Sequence, residues 1–483
     1  MNHLDPHNRT WLNFVNGVWL PSDECIDVHN PATGKKIASV AVAGGNHVDM
    51  AVAAARDCVT SGALTKCRPV LRAEMLARIA REIRNRAEEG AYLGCIESGK
   101  PIEAARREFE EAARYFDYYG GMADKIEGSA IPLGQRYLDY TIREPYGISA
   151  QIVPWNFAPS ICARSLAPAL AAGNAVIVKS PELAPLAIIV LFEAIERAGV
   201  PKGAVNLLCG LGRTAGAALV AHKDVDQIVF TGSVATGVAI MKAASERSVP
   251  CVMELGGKSA GIVFPDANLE RVVESVKAGT FFNAGQICSA LSRLLVHTSV
   301  YEAVIGKVAE MAGSLEVGDG LAGADLGPVI SEDQLEKIEG FCQRAKSAGA
   351  RLITGGQRVS GKDGWFMEPT VFADVDPNME IAQEEVFGPV LCIMKFEDED
   401  QAYQLANGTR FGLVAGVFTQ KLDIALSAPP RLSAGQVFVN EWFAGGIETP
   451  FGGNKMSGHG REKGQEAIYS YVRTKNVGIL LAP

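Results

Sequence analysis

The chain has 483 residues, which at about 150 residues per domain corresponds to roughly three domain-sized units. Hydrophobic residues make up 48% and charged residues 21%, a composition typical of globular proteins and unlike that of disordered or fibrous chains. The net charge of −9 comes without a basic stripe, which argues against nucleic-acid binding. No apolar run reaches about eighteen residues and no signal-peptide core is present, so we expect a soluble cytoplasmic protein without membrane contact.

The cysteines and histidines are dispersed along the chain. There are ten cysteines and seven histidines, and no two cysteines form a C-x-x-C pair. Because a structural metal site needs clustered ligands, the sequence predicts no metal site. Most of the cysteines are therefore expected to be free thiols in a reducing compartment, and composition does not distinguish a reactive one.

The first predicted element is an amphipathic helix, and an alternating region follows it. Met75, Leu76, Ile79, Ala80 and Ile83 share one helical face, and we expect this helix to end at Gly90. From residue 146, strands and helices alternate, which predicts parallel βαβ units with ligands beyond the carboxyl ends of the strands. The predicted strands are 148–153, 175–178, 205–208 and 228–231, and the predicted helices are 166–172 and 184–198.

A second alternating region follows the first. Its predicted strands and helices are 260–264, 272–281, 293–297 and 335–348, followed by a turn at Gly355-Gly356. Two tandem α/β units with a cleft between them are therefore expected. Residues 136–143 alternate as an exposed antiparallel strand does, and 477–481 form an apolar strand with no obvious local partner. We expect both strands to lie at a subunit interface.

Four short motif matches are weak on their own. Gly257-Lys258-Ser259 lacks the P-loop glycine five positions before Gly257, where Val252 stands. The G-x-S-x-G match at Ser259 runs into a predicted strand, which disfavours a serine hydrolase. The G-x-G-x-x-G match at 318–323 lies in a predicted loop, and the looser match at 210–215 follows a strand but is weak evidence for a dinucleotide.

Six longer blocks occur in a fixed order and carry more information than these motifs. They are Pro154-Trp155-Asn156-Phe157, Phe230-Thr231-Gly232-Ser233, Glu254-Leu255-Gly256-Gly257-Lys258-Ser259, Asn283-Ala284-Gly285-Gln286-Ile287-Cys288, Glu384-Glu385-Val386-Phe387-Gly388-Pro389 and Pro450-Phe451-Gly452-Gly453. With them the chain resembles the NAD(P)-dependent aldehyde dehydrogenase superfamily over essentially its full length.

The resemblance implies a fold and a division into domains. The implied fold is α/β, with two tandem Rossmann-like doubly wound domains and a small β oligomerisation or bridging domain. The implied NAD-binding domain comprises 1–122 and 143–253, the catalytic domain 254–455, and the bridging segments 123–142 and 456–483. A homodimer or homotetramer built with the C-terminal strand is expected.

The resemblance also implies the catalytic residues. Cys288 matches the nucleophile, and a thiolate suits aldehyde oxidation because it adds to the carbonyl and later leaves as a thioester. The Asn156 amide and the Cys288 backbone N–H match the donors to the oxyanion. Glu254 matches the general base that activates water, so hydrolysis to the free acid is expected.

NAD is the expected cofactor, with NADP as the alternative. By resemblance Lys179 and Glu182 hold the adenosine ribose hydroxyls, and an acid at this place repels a 2′-phosphate. Gly232 and Ser233 open a helix whose N-terminus can face the pyrophosphate. The complete implied set is Ile152, Pro154, Trp155, Lys179, Ser180, Glu182, Gly212, Phe230, Thr231, Gly232, Ser233, Leu255, Gly256, Glu385 and Phe387.

The substrate is left open by the sequence. Ala158 and Ser165 depart from the family's usual proline and lysine, which puts any role of that lysine beside Glu254 in doubt. Arg164 stands where semialdehyde-specific members bind a distal carboxylate, but their second arginine is replaced by Phe282. An anionic or polar aldehyde therefore competes with an ordinary aliphatic or aromatic one, and the substrate-lining candidates are Phe157, Arg164, Ile287 and Ser289.

Two further alternatives are weighed against an NAD-dependent hydrolytic enzyme. One is an NADP-dependent or semialdehyde-specific relative, and the other is a retired dehydrogenase that serves as a binding or structural protein. The joint presence of Cys288, Glu254 and Asn156 argues against retirement, because drift is free to change any of them.

Overall fold

The computed structural model describes residue 6 and residues 9–481. The outermost parts of the predicted segments 1–122 and 456–483 therefore lie outside the described residues. Within the described range, no helix combines the length and the apolar character needed to cross a membrane.

The described chain forms twenty-two strands and fifteen α-helices. The strands are β1 (Asn13–Val15), β2 (Val18–Leu20), β3 (Cys25–Asn30), β4 (Lys35–Ala41), β5 (Ala130–Ile131), β6 (Tyr137–Pro145), β7 (Ile148–Ile152), β8 (Ala175–Lys179), β9 (Val205–Leu208), β10 (Gln227–Thr231), β11 (Cys251–Glu254), β12 (Ser259–Val263), β13 (Leu291–His297), β14 (Arg351–Thr354), β15 (Thr370–Ala373), β16 (Val390–Phe396), β17 (Phe411–Gly412), β18 (Val414–Phe418), β19 (Gln436–Val439), β20 (Asn454–Lys455), β21 (Gly458–His459) and β22 (Val472–Leu480). The helices are α1 (Gly45–Ser61), α2 (Pro69–Asn85), α3 (Ala87–Ser98), α4 (Ile102–Gly120), α5 (Ala158–Ala172), α6 (Leu186–Arg197), α7 (Ala217–Ala221), α8 (Val234–Ser245), α9 (Leu269–Val276), α10 (Tyr301–Ser314), α11 (Glu332–Ser347), α12 (Glu380–Gln383), α13 (Glu399–Asn407), α14 (Leu422–Arg431) and α15 (Glu466–Tyr469).

The first large sheet has the order β2-β1-β9-β8-β7-β10-β11-β21. Its five central strands, β9 to β11 in that order, are parallel, while β1 and β21 add antiparallel edges. The central strands follow the order 3-2-1-4-5, so the chain switches direction between β7 and β10 and leaves a crevice there. The strands β8 and β10 are buried along their whole length, as strands covered on both faces must be.

The second large sheet has the order β14-β15-β16-β13-β12-β18-β19. Its strands are parallel except for β14 at one edge. The strands β16, β13, β12, β18 and β19 repeat the order 3-2-1-4-5, and each large sheet packs into its own hydrophobic core. The predicted α/β class with two doubly wound units is confirmed, while the domain boundaries stay predictions.

A smaller three-stranded sheet has the order β22-β6-β5. β22 pairs with β6 antiparallel from Val472 opposite Pro145 to Leu480 opposite Tyr137. The C-terminal strand thus has no partner nearby in sequence, and it pairs within the chain with the other strand that was expected at a subunit interface. An alternating pattern identifies a strand but carries no information about which strand lies beside it.

The predicted elements are found, with one incorrect helix end and one incorrect helix start. The helix predicted at 166–172 begins at Ala158, because Pro159 fits its first turn. The strand at 205–208 has the predicted bounds, and the helix predicted at 272–281 is α9 continued by a π-helical turn. The predicted stop at Gly90 is wrong, because α2 ends at Asn85 and Gly90 lies inside α3. A Cβ at Gly90 would overlap the Phe109 ring, so this glycine serves the packing of α3 on α4 rather than a helix end.

Candidate active site

A cavity of about 200 Å³ lies where the carboxyl ends of the first sheet face the loops that enter the second sheet. It collects residues from the segments after β7, β10 and β11 and from the segments before α5, β13 and β16. The predicted residues that line it are Pro154, Trp155, Asn156, Thr231, Gly232, Ser233, Glu254, Leu255, Gly256, Cys288, Glu385 and Phe387.

A second cavity of about 290 Å³ adjoins the first. Asn156, Ile161 and Cys288 line both cavities, so Cys288 lies at their junction. All four predicted substrate residues, Phe157, Arg164, Ile287 and Ser289, line the second cavity. A thiol between two cavities can meet a small molecule from each side, as a reaction between two ligands requires.

The loop before Cys288 has an unusual backbone. Asn283, Ala284 and Gly285 have φ values of 51°, 53° and 69°, and each such non-glycine residue costs about 1–3 kcal/mol. Gly285 must be glycine, because a Cβ there would overlap the Gly388 carbonyl. The Gln286 side chain holds this loop, since its Nε2 donates to Asn283 O at 3.1 Å and its Oε1 accepts from the Ile330 N–H at 2.9 Å.

Cys288 is half-buried at the junction of the two cavities. Burial raises its pKa to about 12, and the nearby Glu254 and Glu385 carboxylates act in the same direction. The Arg164 guanidinium opposes this shift and lowers the pKa. The thiolate is the reactive form of cysteine, so Arg164 favours the reactive state of Cys288.

Asn156 follows β7 and precedes α5 by two residues. Its Nδ2 donates to the carbonyl oxygen of Gln286 at 2.9 Å, which connects it to the loop before Cys288. Since a side-chain amide carries two N–H donors, the second is available to the cavity. The departure at Ala158 does not disturb this turn, because Pro159 fits the first turn of α5.

Glu254 is the last residue of β11 and is only 1% exposed. Neither carboxylate oxygen accepts a hydrogen bond from any residue that the structure describes, and burial raises the pKa of Glu254 well above the ordinary range of a carboxyl. The Glu462 carboxylate raises it further, and Arg164 and Arg461 oppose the shift. Ser165 does not replace a lysine beside Glu254, because its hydroxyl donates to Ile161 O within α5 at 2.9 Å.

Arg164 forms a buried ion pair with Glu462, a residue that the sequence did not single out. Its guanidinium carbon also lies 5.3 Å from the centroid of the Phe451 ring. The cation therefore faces the second cavity with its charge already neutralised. Phe282, in place of a second arginine, stacks on Phe157 at 6.0 Å between ring centroids.

The residues predicted for the two ends of the cofactor fall into two groups. At the carboxyl ends of β8 and β9, Lys179 Nζ bonds Glu182 Oε2 at 2.6 Å with Gly212 alongside, and Ser180 is buried next to them. This group lies outside the first cavity. Ile152 and Phe230 lie opposite each other on the paired strands β7 and β10. The Phe230 ring packs against Gly232, where a Cβ would overlap it.

The other group surrounds Glu385. The Gly257 N–H donates to Glu385 Oε1 at 3.0 Å, and burial raises the Glu385 pKa to about 7. A Cβ at Gly256 would overlap this carboxylate, so the glycine leaves room for it. Phe387 has a φ of 56° and meets Trp155 edge to face at 5.4 Å.

Several cavity residues were missed by sequence reasoning. Gln334 and Lys337 line the first cavity from α11, where no motif marks them, although Gln334 Nε2 donates to Phe387 O at 2.9 Å. The second cavity is completed mainly by aromatic and glycine residues from 438–451. Across the part of the chain that the structure covers, no three His, Cys, Asp or Glu side chains form a group suited to a metal ion.

Comparison with known proteins gives one family throughout. The model of the aldehyde dehydrogenase family matches residues 19–477. A mitochondrial aldehyde dehydrogenase from Leishmania tarentolae is 41% identical over 96% of this chain and 93% of its own length. A mitochondrial benzaldehyde dehydrogenase from Antirrhinum majus is 41% identical over 96% of this chain and 88% of its own. The NAD+ complex of an aldehyde dehydrogenase from Bacillus cereus superposes with a TM-score of 0.97 at 36% identity, covering 99% of this chain and 98% of that one.

The effect of Arg164 on Cys288 is open to a direct test. The double variant Arg164→Met/Glu462→Gln removes both charges of the buried pair together, so that neither remains alone. Loss of the cation should raise the Cys288 pKa. We expect alkylation of Cys288 by iodoacetamide at pH 8 to slow by about three- to tenfold, since one pKa unit changes the thiolate fraction about tenfold. Peptide mass spectrometry over a range of pH measures this rate.

Exposed Cys25 provides the control within the same sample, and its alkylation rate should not change. A lower plateau for Cys288 with no shift along the pH axis would indicate a blocked thiol and contradict the electrostatic explanation.

Proposed function

This chain belongs to the aldehyde dehydrogenase family, and we propose that it oxidises an aldehyde to the carboxylic acid through a thiohemiacetal on Cys288. The observation that carries the proposal is the place of Cys288 between the two cavities, with Asn156 and Glu254 beside it. The first cavity receives the nicotinamide and the second receives the aldehyde.

NAD fits the residues of the first cavity and its neighbouring edge. Bound NAD supplies the acceptor for the hydride. The Lys179–Glu182 pair offers one donor and one acceptor for ribose hydroxyls, and its carboxylate disfavours a 2′-phosphate. Glu385 has one oxygen bonded to Gly257 and can accept from the second ribose with the other, while Trp155 and Phe387 form an aromatic wall. The fit supports NAD over NADP.

Acylation uses the nucleophile loop and Asn156. The Cys288 thiol releases its proton to water, the resulting thiolate forms a bond to the aldehyde carbon, and the electron pair of the C=O π bond moves to the oxygen, which becomes an oxyanion. Asn156 Nδ2 and the Cys288 backbone N–H donate to that oxyanion, and loss of one such donor typically costs about 2.7–4 kcal/mol. Departure of the hydride re-forms the carbonyl and leaves a thioester on Sγ.

Deacylation uses Glu254. Its ionised carboxylate takes a proton from water, and the hydroxyl oxygen forms a bond to the thioester carbon while the C–S bond breaks. The products are the carboxylic acid and the restored thiol. The raised pKa of Glu254 supports this role, because it makes the carboxylate a stronger base than an exposed one.

The second cavity suits an uncharged, apolar aldehyde. Its aromatic residues are Tyr115, Phe157, Phe282, Phe438, Phe443 and Phe451. The two cations of its lining are Arg164, which is paired with Glu462, and Lys463, whose pKa is lowered by burial, so the lining favours an uncharged tail over a distal carboxylate. An aromatic aldehyde gains edge-to-face and stacking contacts in such a site, and the 41% identity to a benzaldehyde dehydrogenase supports this class.

A second copy of the chain is the proposed partner of the β22-β6-β5 sheet. Many of its large apolar side chains are exposed, among them Leu138 (48%) and its cross-strand neighbour Ile479 (40%). An exposed apolar surface of this kind is typical of an interface. We therefore propose a homodimer or homotetramer assembled through this sheet.

The cytoplasm is the proposed location. All ten cysteines are free, which supports a reducing compartment. Two of the relatives named above are mitochondrial, so the cytoplasm is proposed on the chemistry of the thiols alone.

Glu254→Gln should separate the two half-reactions. We expect one equivalent of NADH per subunit in a rapid burst, followed by steady-state turnover at least about 100-fold below the parent, because water is no longer activated. In the parent, the rate of deacylation should increase with pH, because only the ionised form of Glu254 accepts a proton. The midpoint of this increase should lie above the usual carboxyl range, because burial raises the pKa of Glu254. Stopped-flow absorbance of NADH measures both quantities.

Cys288→Ala is the matched control, in which the burst disappears while NAD affinity remains. A Glu254→Gln variant that loses the burst although it binds NAD would show that Glu254 does not act at deacylation.

The substrate class is tested with benzaldehyde, pentanal and succinic semialdehyde. We expect kcat/KM for benzaldehyde to exceed that for succinic semialdehyde by about tenfold or more, because its ring gains contacts with the aromatic lining, whereas a carboxylate loses hydration there. The two cations of that lining are Arg164, already paired with Glu462, and Lys463, whose pKa is lowered by burial. Arg164→Ala should lower kcat/KM for succinic semialdehyde and pentanal by the same factor. A selective loss on succinic semialdehyde would instead assign Arg164 to substrate binding.

The assembly is tested by placing two charges on the exposed sheet. Leu138→Lys together with Ile479→Lys should reduce the mass measured by light scattering to that of a single chain or a smaller assembly. Met50→Lys, at a residue of α1 that is 49% exposed, is the control and should leave the mass unchanged. An unaltered mass in the double variant would rule out this sheet as the interface.

A further inference from the structure

Lys100 is a buried lysine in the loop between α3 and α4, and it lines neither of the two cavities. Only 4% of the residue is exposed. Its ammonium group donates to the carbonyl oxygen of Asn156 at 2.9 Å, forms an ion pair with Glu108, and lies 4.6 Å from the centroid of the Phe157 ring. The Lys100 ammonium group therefore contacts the segment that carries Asn156, the proposed donor to the oxyanion.

Both the backbone carbonyl oxygen and the side-chain amide of Asn156 form hydrogen bonds. Its carbonyl oxygen accepts from Lys100 Nζ and from Asn283 Nδ2, the latter at 3.2 Å. Its side-chain Nδ2 donates to Gln286 O. Lys100 is therefore the one charged donor among these bonds, and charge-assisted hydrogen bonds are about twice as strong as neutral ones.

Glu108 extends the same arrangement to α5. This carboxylate is 6% exposed and accepts from the Ser160 N–H, in the first turn of α5, at 3.3 Å. A carboxylate at a helix N-terminus satisfies a free N–H and interacts favourably with the helix dipole. The Lys100–Glu108 pair thereby fixes the start of α5 and the Asn156 segment that precedes it.

The backbone at Gly99 and Lys100 packs against a segment that follows Cys288 in the chain. A Cβ at Gly320 would overlap the Lys100 carbonyl, and one at Gly327 would overlap the carbonyl of Gly99. Both glycines lie beyond Cys288, in the chain between α10 and α11. The loop of Lys100 thus contacts both partners of the oxyanion site, the Asn156 segment through its side chain and the Cys288 half through its backbone.

We propose that Lys100 is a positioning residue that fixes the Asn156 amide relative to Cys288 through the Asn156 carbonyl oxygen. The proposal rests on the proposed function, because it concerns the oxyanion formed on the aldehyde. It assigns Lys100 no contact with aldehyde or cofactor.

The test is a double-mutant cycle read in the NADH burst, which reports acylation. Lys100→Met should slow the burst roughly 10- to 100-fold, since small displacements of a catalytic group have effects of this size. NAD affinity should stay within about twofold, and Lys100→Arg should recover part of the rate because it restores a charged donor. In an Asn156→Ala background, Lys100→Met should change the burst rate by less than about threefold, because the donor that it positions is absent.

Two variants separate positioning from stability. Lys100→Met/Glu108→Gln removes both charges, so that no carboxylate is buried alone, and its burst should remain slow although its melting temperature recovers. Glu97→Gln is the control: Glu97 is buried nearby and accepts from the N–H groups of Leu186 and Ala187, with no contact to Asn156. It should leave the burst rate unchanged.

Each outcome decides the proposal. Multiplicative losses for Lys100→Met and Asn156→Ala, or a normal burst in Lys100→Met/Glu108→Gln, would overturn it while leaving the proposed function intact. A parent protein that binds NAD but gives no burst with any aldehyde would overturn the proposed function and this inference with it.

Discussion

The left-handed backbone at 283–285 is the constraint on which the site depends. Three consecutive residues, two of them with side chains, adopt a conformation that costs about 1–3 kcal/mol for each non-glycine. The surrounding contacts offset this cost: Gln286 bridges Asn283 and Ile330, and Gly285 packs on the Gly388 carbonyl. Only with this turn in place does Cys288 stand at the junction of the two cavities.

Two buried cations beside the site are each paired with a carboxylate, whereas the Glu254 carboxylate stands outside these pairs. Arg164 pairs with Glu462 and Lys100 with Glu108, which removes most of the cost of burying four charges. Glu254 has no hydrogen bond from any described residue, and burial accordingly raises its pKa. Leaving the buried Glu254 carboxylate outside these pairs raises its pKa and makes it a stronger base than an exposed carboxylate.

The site joins opposite ends of two similar sheets. In the first sheet the residues follow the carboxyl ends of the strands, where a doubly wound fold is expected to bind its ligand. In the second sheet Cys288 precedes β13 and Gly257 precedes β12, so the contribution comes from the amino ends. The cavity at the junction therefore belongs to neither unit alone, and each unit supplies part of the chemistry.

The sequence by itself determined the α/β class and most strands and helices, because these depend on local periodicity. Its contiguous blocks, such as the one that ends in Cys288, marked many residues of the two cavities but missed others such as Gln334 and Lys337. Tertiary structure alone decided which distant groups the buried cations contact. Arg164 pairs with Glu462 and Lys100 donates to the Asn156 carbonyl oxygen, in both cases across stretches of chain that carry no local pattern. It also decided that Gly90 packs against Phe109 rather than ending a helix, and that β22 pairs with β6. A pattern specifies the conformation of a segment, but the identity of its neighbours follows only from packing, in which each side chain is placed by all the others.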